Sequence, residues 1–105
     1  MKTRDTYTGI ADPTRRAILD LLRIRDVASA GEIGSAFSEI SQPAISRHLR
    51  ILRECELVRV VKHGKTQNYA VDPTGLNAIR EGWLAGFAGM PTRSLAKLRE
   101  IVEND

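Results

Sequence analysis

The sequence predicts a mainly α-helical protein with one small β-hairpin, its elements following one another in the order α-α-α-α-β-β-α-α. Two observations lead to this prediction. Apolar residues recur at the three- and four-residue spacing of amphipathic helices up to residue 54 and again from residue 73 to residue 103. Between residues 57 and 72 they alternate instead, as in strands, on either side of a glycine-containing tip.

Length and composition indicate a single soluble domain spanning residues 1–105. Hydrophobic residues make up 42% of the chain and charged residues 28%, which excludes a disordered, low-complexity protein. No apolar run approaches the ~20 residues of a membrane-spanning helix, and residues 1–5 lead into no segment of the secretory kind. We therefore expect a cytoplasmic protein without a membrane partner.

The residues that usually carry chemistry are few. Cys55 is the only cysteine, which excludes an internal disulfide and a multi-thiolate metal site within one chain. His48 and His63 are too far apart to indicate a metal-binding motif, so no metal and no cofactor are expected. With no Ser/His/Asp set, paired acids or glycine-rich phosphate loop, the chain is not expected to be an enzyme. Cys55 is interpreted as a small buried hydrophobe, with a redox or intersubunit role as the alternative.

The positive charge is concentrated in one segment. Residues 41–65 contain six basic and two acidic residues, a net charge of +4, while the rest of the chain contains ten basic and eleven acidic residues, a net charge of −1. A local excess of this kind is typical of a surface that faces phosphates, and a merely solvated basic face is the alternative.

Helix starts can be located from capping residues. The first helix, over about residues 5–11, is weakly indicated, whereas Asp12 and Pro13 give the second a clear N-cap and first position. Ser29 and Glu32 have the spacing of a capping box at the start of the third helix. Ser41 can cap a fourth helix that runs to about Glu54.

The third and fourth helices together predict a helix-turn-helix over about residues 29–54. They are separated by about three residues, and the fourth helix has one inner and one outer face. Its inner stripe is Ile45, His48, Leu49 and Leu52. Its outer face is polar and basic, and consists of Gln42, Ala44, Ser46, Arg47 and Arg50.

A hairpin that directly follows a helix-turn-helix is a wing, here predicted over about residues 57–72. Its basic tip turns at Gly64. A fifth helix, begun by Asp72 and Pro73, is expected to carry an apolar stripe that serves as core or dimer interface, with a ligand pocket between subunits as the alternative. The predicted dimer-interface residues are Leu76, Ile79, Trp83, Leu84 and Phe87. Pro91 is expected to begin the last helix.

The predicted DNA-contacting residues lie on the fourth helix and on the wing tip. They are Ser41, Gln42, Pro43, Ala44, Ser46, Arg47, His48, Arg50, Lys62, His63, Gly64 and Lys65. Arg47 can bind guanine and Gln42 adenine through paired hydrogen bonds, although either one can instead contact a phosphate. The wing tip is expected to reach the DNA backbone or the minor groove.

Several of these residues have an alternative role. Ser41 can be a helix cap, a phosphate contact or both. His48 is interpreted as a hydrogen-bonded packing residue or as a phosphate contact from the edge of the helix. Arg50 and Arg53 can contact phosphates or pair with nearby glutamates.

Three segments resemble a known family, the ArsR-type winged-helix repressors. Residues 12–19 (DPTRRAIL) resemble the start of that family's second helix, and residues 41–49 (SQPAISRHL), followed by ILRE and LV, are similar to its recognition helix. Residues 69–73 (YAVDP) resemble its second wing strand and the entry to the next helix. The resemblance covers roughly residues 8–90.

The resemblance implies a homodimer paired through the first and fifth helices, with its two recognition helices in successive major grooves; the dimerisation helices are expected over about residues 5–11 and 73–103. It also implies repression, often of the regulator's own operon, relieved by a signal. The third helix, AGEIGSAF, lacks the Cys or His of metal-sensing members, and the fifth offers Glu81 but no His. Metal or persulfide sensing by the familiar routes is therefore not expected, and the sequence does not identify a small-molecule inducer.

The sequence thus predicts a sequence-specific, DNA-binding transcriptional regulator. It is expected to act as a homodimeric repressor on double-stranded operator DNA with an inverted repeat, and to control its own gene. The alternative is a ligand- or redox-responsive winged-helix module that acts mainly through protein or small-molecule binding. The basic segment and the intact recognition helix favour the first.

Overall fold

The structure, a computed structural model, describes residues 4–104. The predicted domain range of 1–105 also includes residues 1–3 and 105, which lie outside the described residues. The helices are α1 (Thr6–Ile10), α2 (Pro13–Arg25), α3 (Ala30–Ala36), α4 (Gln42–Glu54), α5 (Thr74–Glu81), a 3-10 helix (Leu84–Phe87) and α6 (Arg93–Glu103). The strands are β1 (Ala28–Ser29), β2 (Val58–His63) and β3 (Thr66–Val71). The predicted class, mainly helical with a hairpin after the fourth helix, is confirmed.

Three of the four helix starts predicted from capping residues are confirmed by the hydrogen bonds of their caps; the fourth, at Asp72 and Pro73, is wrong by one residue, because α5 begins at Thr74 and its N-cap, Pro73, has no side-chain cap bond. The Asp12 carboxylate accepts from the backbone N–H of Arg15 at 3.0 Å. Ser29 and Glu32 form both bonds of the capping box, at 3.1 and 2.9 Å. The Ser41 hydroxyl accepts from the backbone N–H of Ala44 at 3.3 Å. Each bond satisfies an amide that the first turn of a helix leaves without a partner.

A third strand, β1, was not predicted. It pairs antiparallel with β3, Ala28 opposite Tyr69 and Ser29 opposite Asn68, so that the sheet has the order β1-β3-β2. Two residues are too few to show an alternating pattern, which explains why the prediction missed this strand. The backbone of β1 leads directly into α3, and the pairing therefore fixes the start of the helix-turn-helix to the wing.

The core lies between α2, α3, α4 and the inner face of the sheet. Its largest fully buried side chains are Ile18, Leu22, Ile33, Ile45, Leu52, Leu57 and Cys55. Helix α4 contributes Ile45, Leu49 and Leu52 from one face. Because these positions follow helical spacing, burying them turns the opposite face of α4 to solvent.

The prediction of one continuous fifth helix through Phe87 is wrong. Helix α5 ends at Glu81, and Gly82 has φ −96° and ψ −98°, outside the helical region. A 3-10 helix follows, and α6 begins at Arg93 rather than at Pro91. Glycine costs about 1 kcal/mol relative to alanine inside a helix, and residues 82–91 contain three glycines and a proline. This composition favours a break that apolar spacing alone does not indicate.

The C-terminal segment extends away from the core. Every residue from 80 to 104 is exposed, and the molecule measures 68 × 29 × 25 Å with a radius of gyration of 18.9 Å. A compact domain of about 100 residues has a radius of gyration of about 13 Å. The apolar side chains of this segment are therefore presented to solvent.

Candidate nucleic-acid interface

The outer face of α4 is polar, basic and accessible. Ser41, Gln42, Pro43, Ser46, Arg47 and Arg50 are exposed, and Ala44 is half-buried. Within residues 4–104, neither Arg47 nor Arg50 makes an ion pair. The N-terminus of α4 adds partial positive charge beside Ser41 and Gln42. This arrangement can bind phosphates and present side chains to the edges of base pairs.

The Gln42 side chain contacts the neighbouring helix α3, which its spacing along α4 does not predict. Its side-chain amide lies against Gly34 of α3, so closely that a Cβ atom at residue 34 would come within 2.5 Å of the Gln42 Nε2 atom. Glycine at this position therefore allows the two helices of the helix-turn-helix to approach each other. Gln42 is thus a packing residue between α3 and α4 as well as a candidate for base contact.

The wing places three positively charged or titratable side chains at its tip. Lys62 pairs with Gln67 and His63 with Thr66, which leaves Gly64 and Lys65 as a two-residue turn. Gly64 has φ 63°, as the first turn position of a type II′ hairpin requires. Lys62, His63 and Lys65 are all exposed. A tip of this kind can reach along a DNA backbone from the side of α4.

Two ion pairs shape the charge around this surface. Arg4 pairs with Glu54 at the end of α4, and Arg59 pairs with Asp72 at 3.0 Å. Hydrogen bonds from the backbone and hydroxyl of Thr74, together with the Arg59 guanidinium, lower the pKa of Asp72, which therefore stays ionised at neutral pH. Pairing of Arg50 or Arg53 with Glu54, one of the sequence alternatives, is not observed among residues 4–104.

His48 faces the body of the protein. Its side chain is 18% exposed, and its Nδ1 atom lies 3.2 Å from Nη1 of Arg15 and 4.0 Å from an oxygen of Asp12. The packing interpretation agrees with these contacts, which join α4 to the start of α2. Burial raises the pKa of Asp12, but the backbone hydrogen bonds from Arg15 and Thr14 and the attraction of the neighbouring Arg15 and His48 side chains together outweigh it, and the net pKa lies below its usual value.

The predicted dimer-interface residues divide into two groups. Ile79 is buried in the protomer and Leu76 packs against the core. Trp83, Leu84 and Phe87, by contrast, are exposed. Trp83 makes edge-on aromatic contacts with Tyr7 of α1 and with Phe87, at centroid distances of 6.1 and 5.0 Å.

The remaining chemical candidates give no further site. Cys55 is buried, and its Sγ atom donates to the backbone oxygen of Asp5 at 3.2 Å, as expected for a packing residue. Among residues 4–104 no three His, Cys, Asp or Glu side chains lie together as a metal site would require. None of the helices within those residues is long and apolar enough to cross a membrane.

A helix-turn-helix with an exposed basic second helix, followed at once by a basic hairpin, defines a winged helix-turn-helix DNA-binding protein. Comparison with known proteins agrees with this class. A helix-turn-helix domain family matches residues 10–61.

Named relatives identify the family. The chain is 42% identical over 83 residues to the transcriptional repressor SdpR of Bacillus subtilis. The aligned region covers 79% of this chain and 89% of that protein. It is 39% identical over 99 residues to the HTH-type transcriptional regulator Rv2034 of Mycobacterium tuberculosis, covering 94% and 87% respectively. A solved ArsR-like transcriptional regulator from Rhodococcus sp. RHA1 superposes with a TM-score of 0.71 at 30% identity, covering 94% and 88%. The protein belongs to the ArsR-type family of winged-helix transcriptional regulators.

Proposed function

We propose that this protein is a homodimeric transcriptional repressor that binds an inverted-repeat operator through α4 and the wing of each protomer. The observation that carries the proposal is the outer face of α4, where Arg47 and Arg50 are exposed on a helix whose N-terminus is capped by Ser41. The basic wing tip extends this surface. Together they supply both phosphate contacts and donors for base edges.

The exposed C-terminal apolar surface supports a dimer. Trp83, Leu84, Phe87 and Met90 are each about half exposed or more in the protomer, and further apolar residues follow on α6. Contiguous exposed surface of this kind usually marks an interface. Helix α1 joins the same surface through Tyr7, so the proposed dimer uses α1 and the segment after α5.

Symmetry connects this dimer to the DNA. A two-fold axis repeats each recognition helix, and successive major grooves on one side of a duplex lie about 34–36 Å apart. The operator is therefore proposed to be an imperfect inverted repeat. Similarity to a transcriptional repressor favours repression, and we extend this to control of the protein's own gene.

The proposal is tested by titrating the purified protein against labelled DNA from upstream of its own gene, with a shuffled duplex of equal length as the control. We expect binding to the upstream DNA to be about 1,000-fold tighter or more, as for specific regulators. Footprinting should show two protected half-sites centred about one helical turn apart. Equal affinity for both duplexes would contradict control of its own gene, and a single protected half-site would contradict the dimeric complex.

The wing is expected to contribute affinity rather than sequence selectivity. The double variant Lys62→Ala with Lys65→Ala should weaken binding to operator and shuffled DNA alike. The dependence of log affinity on log salt should become shallower by about 0.9 for each phosphate that the wing no longer neutralises. Arg23→Ala with Arg25→Ala removes the same charge from the exposed end of α2, outside both proposed surfaces, and is the matched control. Poorer discrimination with an unchanged salt slope would mean that the wing reads bases instead.

A further inference from the structure

One arginine joins three helices at the base of α4. Arg15, near the start of α2, donates from Nε to the backbone oxygen of Gly9 at 3.0 Å and from Nη2 to that of Thr8 at 2.8 Å. Both acceptors belong to α1. Its remaining terminal nitrogen, Nη1, lies 3.2 Å from Nδ1 of His48 on α4. A single rigid guanidinium therefore contacts the end of α1 and the recognition helix at the same time.

The contact with His48 depends on the protonation state of the imidazole. A guanidinium has donors and no acceptor, so Nδ1 of His48 must accept, and the ring must be neutral with its proton on Nε2. A protonated His48 instead directs an N–H toward Nη1 of Arg15. Asp12, whose carboxylate oxygen is 4.0 Å from Nδ1, then becomes the favourable partner. Within residues 4–104 the charged groups that face His48 are these two, both from the start of α2.

The other side of α1 belongs to the proposed dimer surface. Tyr7 on α1 contacts Trp83 edge-on, and the next two residues, Thr8 and Gly9, supply the oxygens that bind Arg15. Gly9 also packs tightly, because a Cβ at this position would clash with a methyl group of buried Leu57. Helix α1 is thus held closely against the protein between the two surfaces.

We propose that Arg15 is a positioning residue for DNA binding, which sets the orientation of the recognition helix α4 relative to α1, and that protonation of His48 breaks this link and weakens operator binding. The inference rests on the proposed function, since it concerns the same DNA surface. Arg15 itself touches no DNA in this account, because its guanidinium is directed at Gly9, Thr8 and His48. The link joins the dimer surface to the DNA surface through one side chain.

The first arm of the test replaces the guanidinium and keeps the charge. Arg15→Lys cannot hold three acceptors in fixed directions, and we expect operator affinity at about pH 8 to fall about tenfold. The affinity for shuffled DNA and the salt slope should stay unchanged. Arg15→Ala tests the alternative of a direct phosphate contact, which would weaken binding to every duplex and make the salt slope shallower. A melting curve for each variant establishes that it is folded.

The second arm uses pH and is independent of Arg15 substitutions. His63, the other histidine of the chain, lies on the exposed wing tip, so the measurement is made in a His63→Asn background in which His48 is the one remaining histidine. In that background, operator affinity should fall about tenfold from about pH 8 to about pH 5.5. Adding His48→Asn, which keeps an acceptor near the position of Nδ1 but does not titrate, should preserve affinity at pH 8 and remove the pH dependence.

The outcomes separate this inference from the proposed function. If the wild-type protein shows no preference for operator DNA, the proposed function fails. If the wild type binds its operator, but Arg15→Lys binds equally well and His48→Asn leaves the pH profile unchanged, the positioning role is wrong and the proposed function stands. A pH dependence retained in the double histidine variant would assign the titration to another group and overturn the role of His48.

Discussion

Replacing Trp83 with alanine is expected to separate the proposed dimer into monomers and to weaken operator binding, although Trp83 lies outside the DNA surface. The indole is 60% exposed in the protomer and stands between Tyr7 and Phe87. Tryptophan at the centre of an interface contributes about 2 kcal/mol or more, and the dimer loses two copies. The total of about 4 kcal/mol raises the dimer dissociation constant about 1,000-fold.

Sedimentation at micromolar concentration measures the dissociation, and titration of labelled operator measures the consequence for DNA binding. Ile24→Ala is the matched control, because Ile24 is 72% exposed on α2 and should change neither quantity. The protomer should remain folded, since Trp83 lies outside the buried core. A wild-type protein that sediments as a monomer and still binds its operator tightly would contradict the dimer.

The helix-turn-helix could be predicted because its determinants are local. Asp12, Ser29 and Ser41 each bond to a backbone N–H three residues further on, so residue type and position suffice to place the start of a helix. The same holds for the wing turn, where Gly64 supplies the positive φ that the two-residue loop requires. The exposed face of α4 follows from the spacing of Ile45 and Leu49.

The features that escaped prediction depend on contacts between distant parts of the chain. Strand β1 exists because Ala28 and Ser29 meet β3 about 40 residues later. The partners Arg15 and His48 are 33 residues apart, and no spacing rule brings them together. The His48 position on the inner stripe of α4 did indicate packing, but the identity of its partner required the fold.

The C-terminal segment shows the limit of periodicity in another way. Leu76, Ile79, Trp83 and Phe87 have helical spacing, yet α5 ends before Trp83. Helical spacing shows where apolar side chains would lie if the helix continued. It does not show that Gly82 and Gly86 would lower the stability of that helix. The apolar surface persists without the continuous helix, so the dimer proposal depends on exposure at Trp83 and Phe87 rather than on one stripe.

Replacing Arg47 with alanine is expected to weaken operator binding by about 1–3 kcal/mol, which is about 5- to 150-fold. Arg47 is exposed on the outer face of α4, in the first half of the helix. Its forked donors can bind the O6 and N7 atoms of guanine, and no other cation matches that geometry equally well. Binding to shuffled DNA should fall much less, because the effect is on sequence recognition.

Two further variants separate base recognition from attraction to phosphate. Arg47→Lys keeps the charge but loses the fork, so it should retain affinity for shuffled DNA and still discriminate poorly between operator and shuffled duplexes. Arg25→Ala removes one charge from the exposed end of α2 and serves as the control for net charge. Fluorescence anisotropy at fixed salt measures all affinities on the same duplexes. A folded, dimeric Arg47→Ala variant with wild-type operator affinity would remove Arg47 from the recognition surface and assign base contact to Gln42 or to the wing.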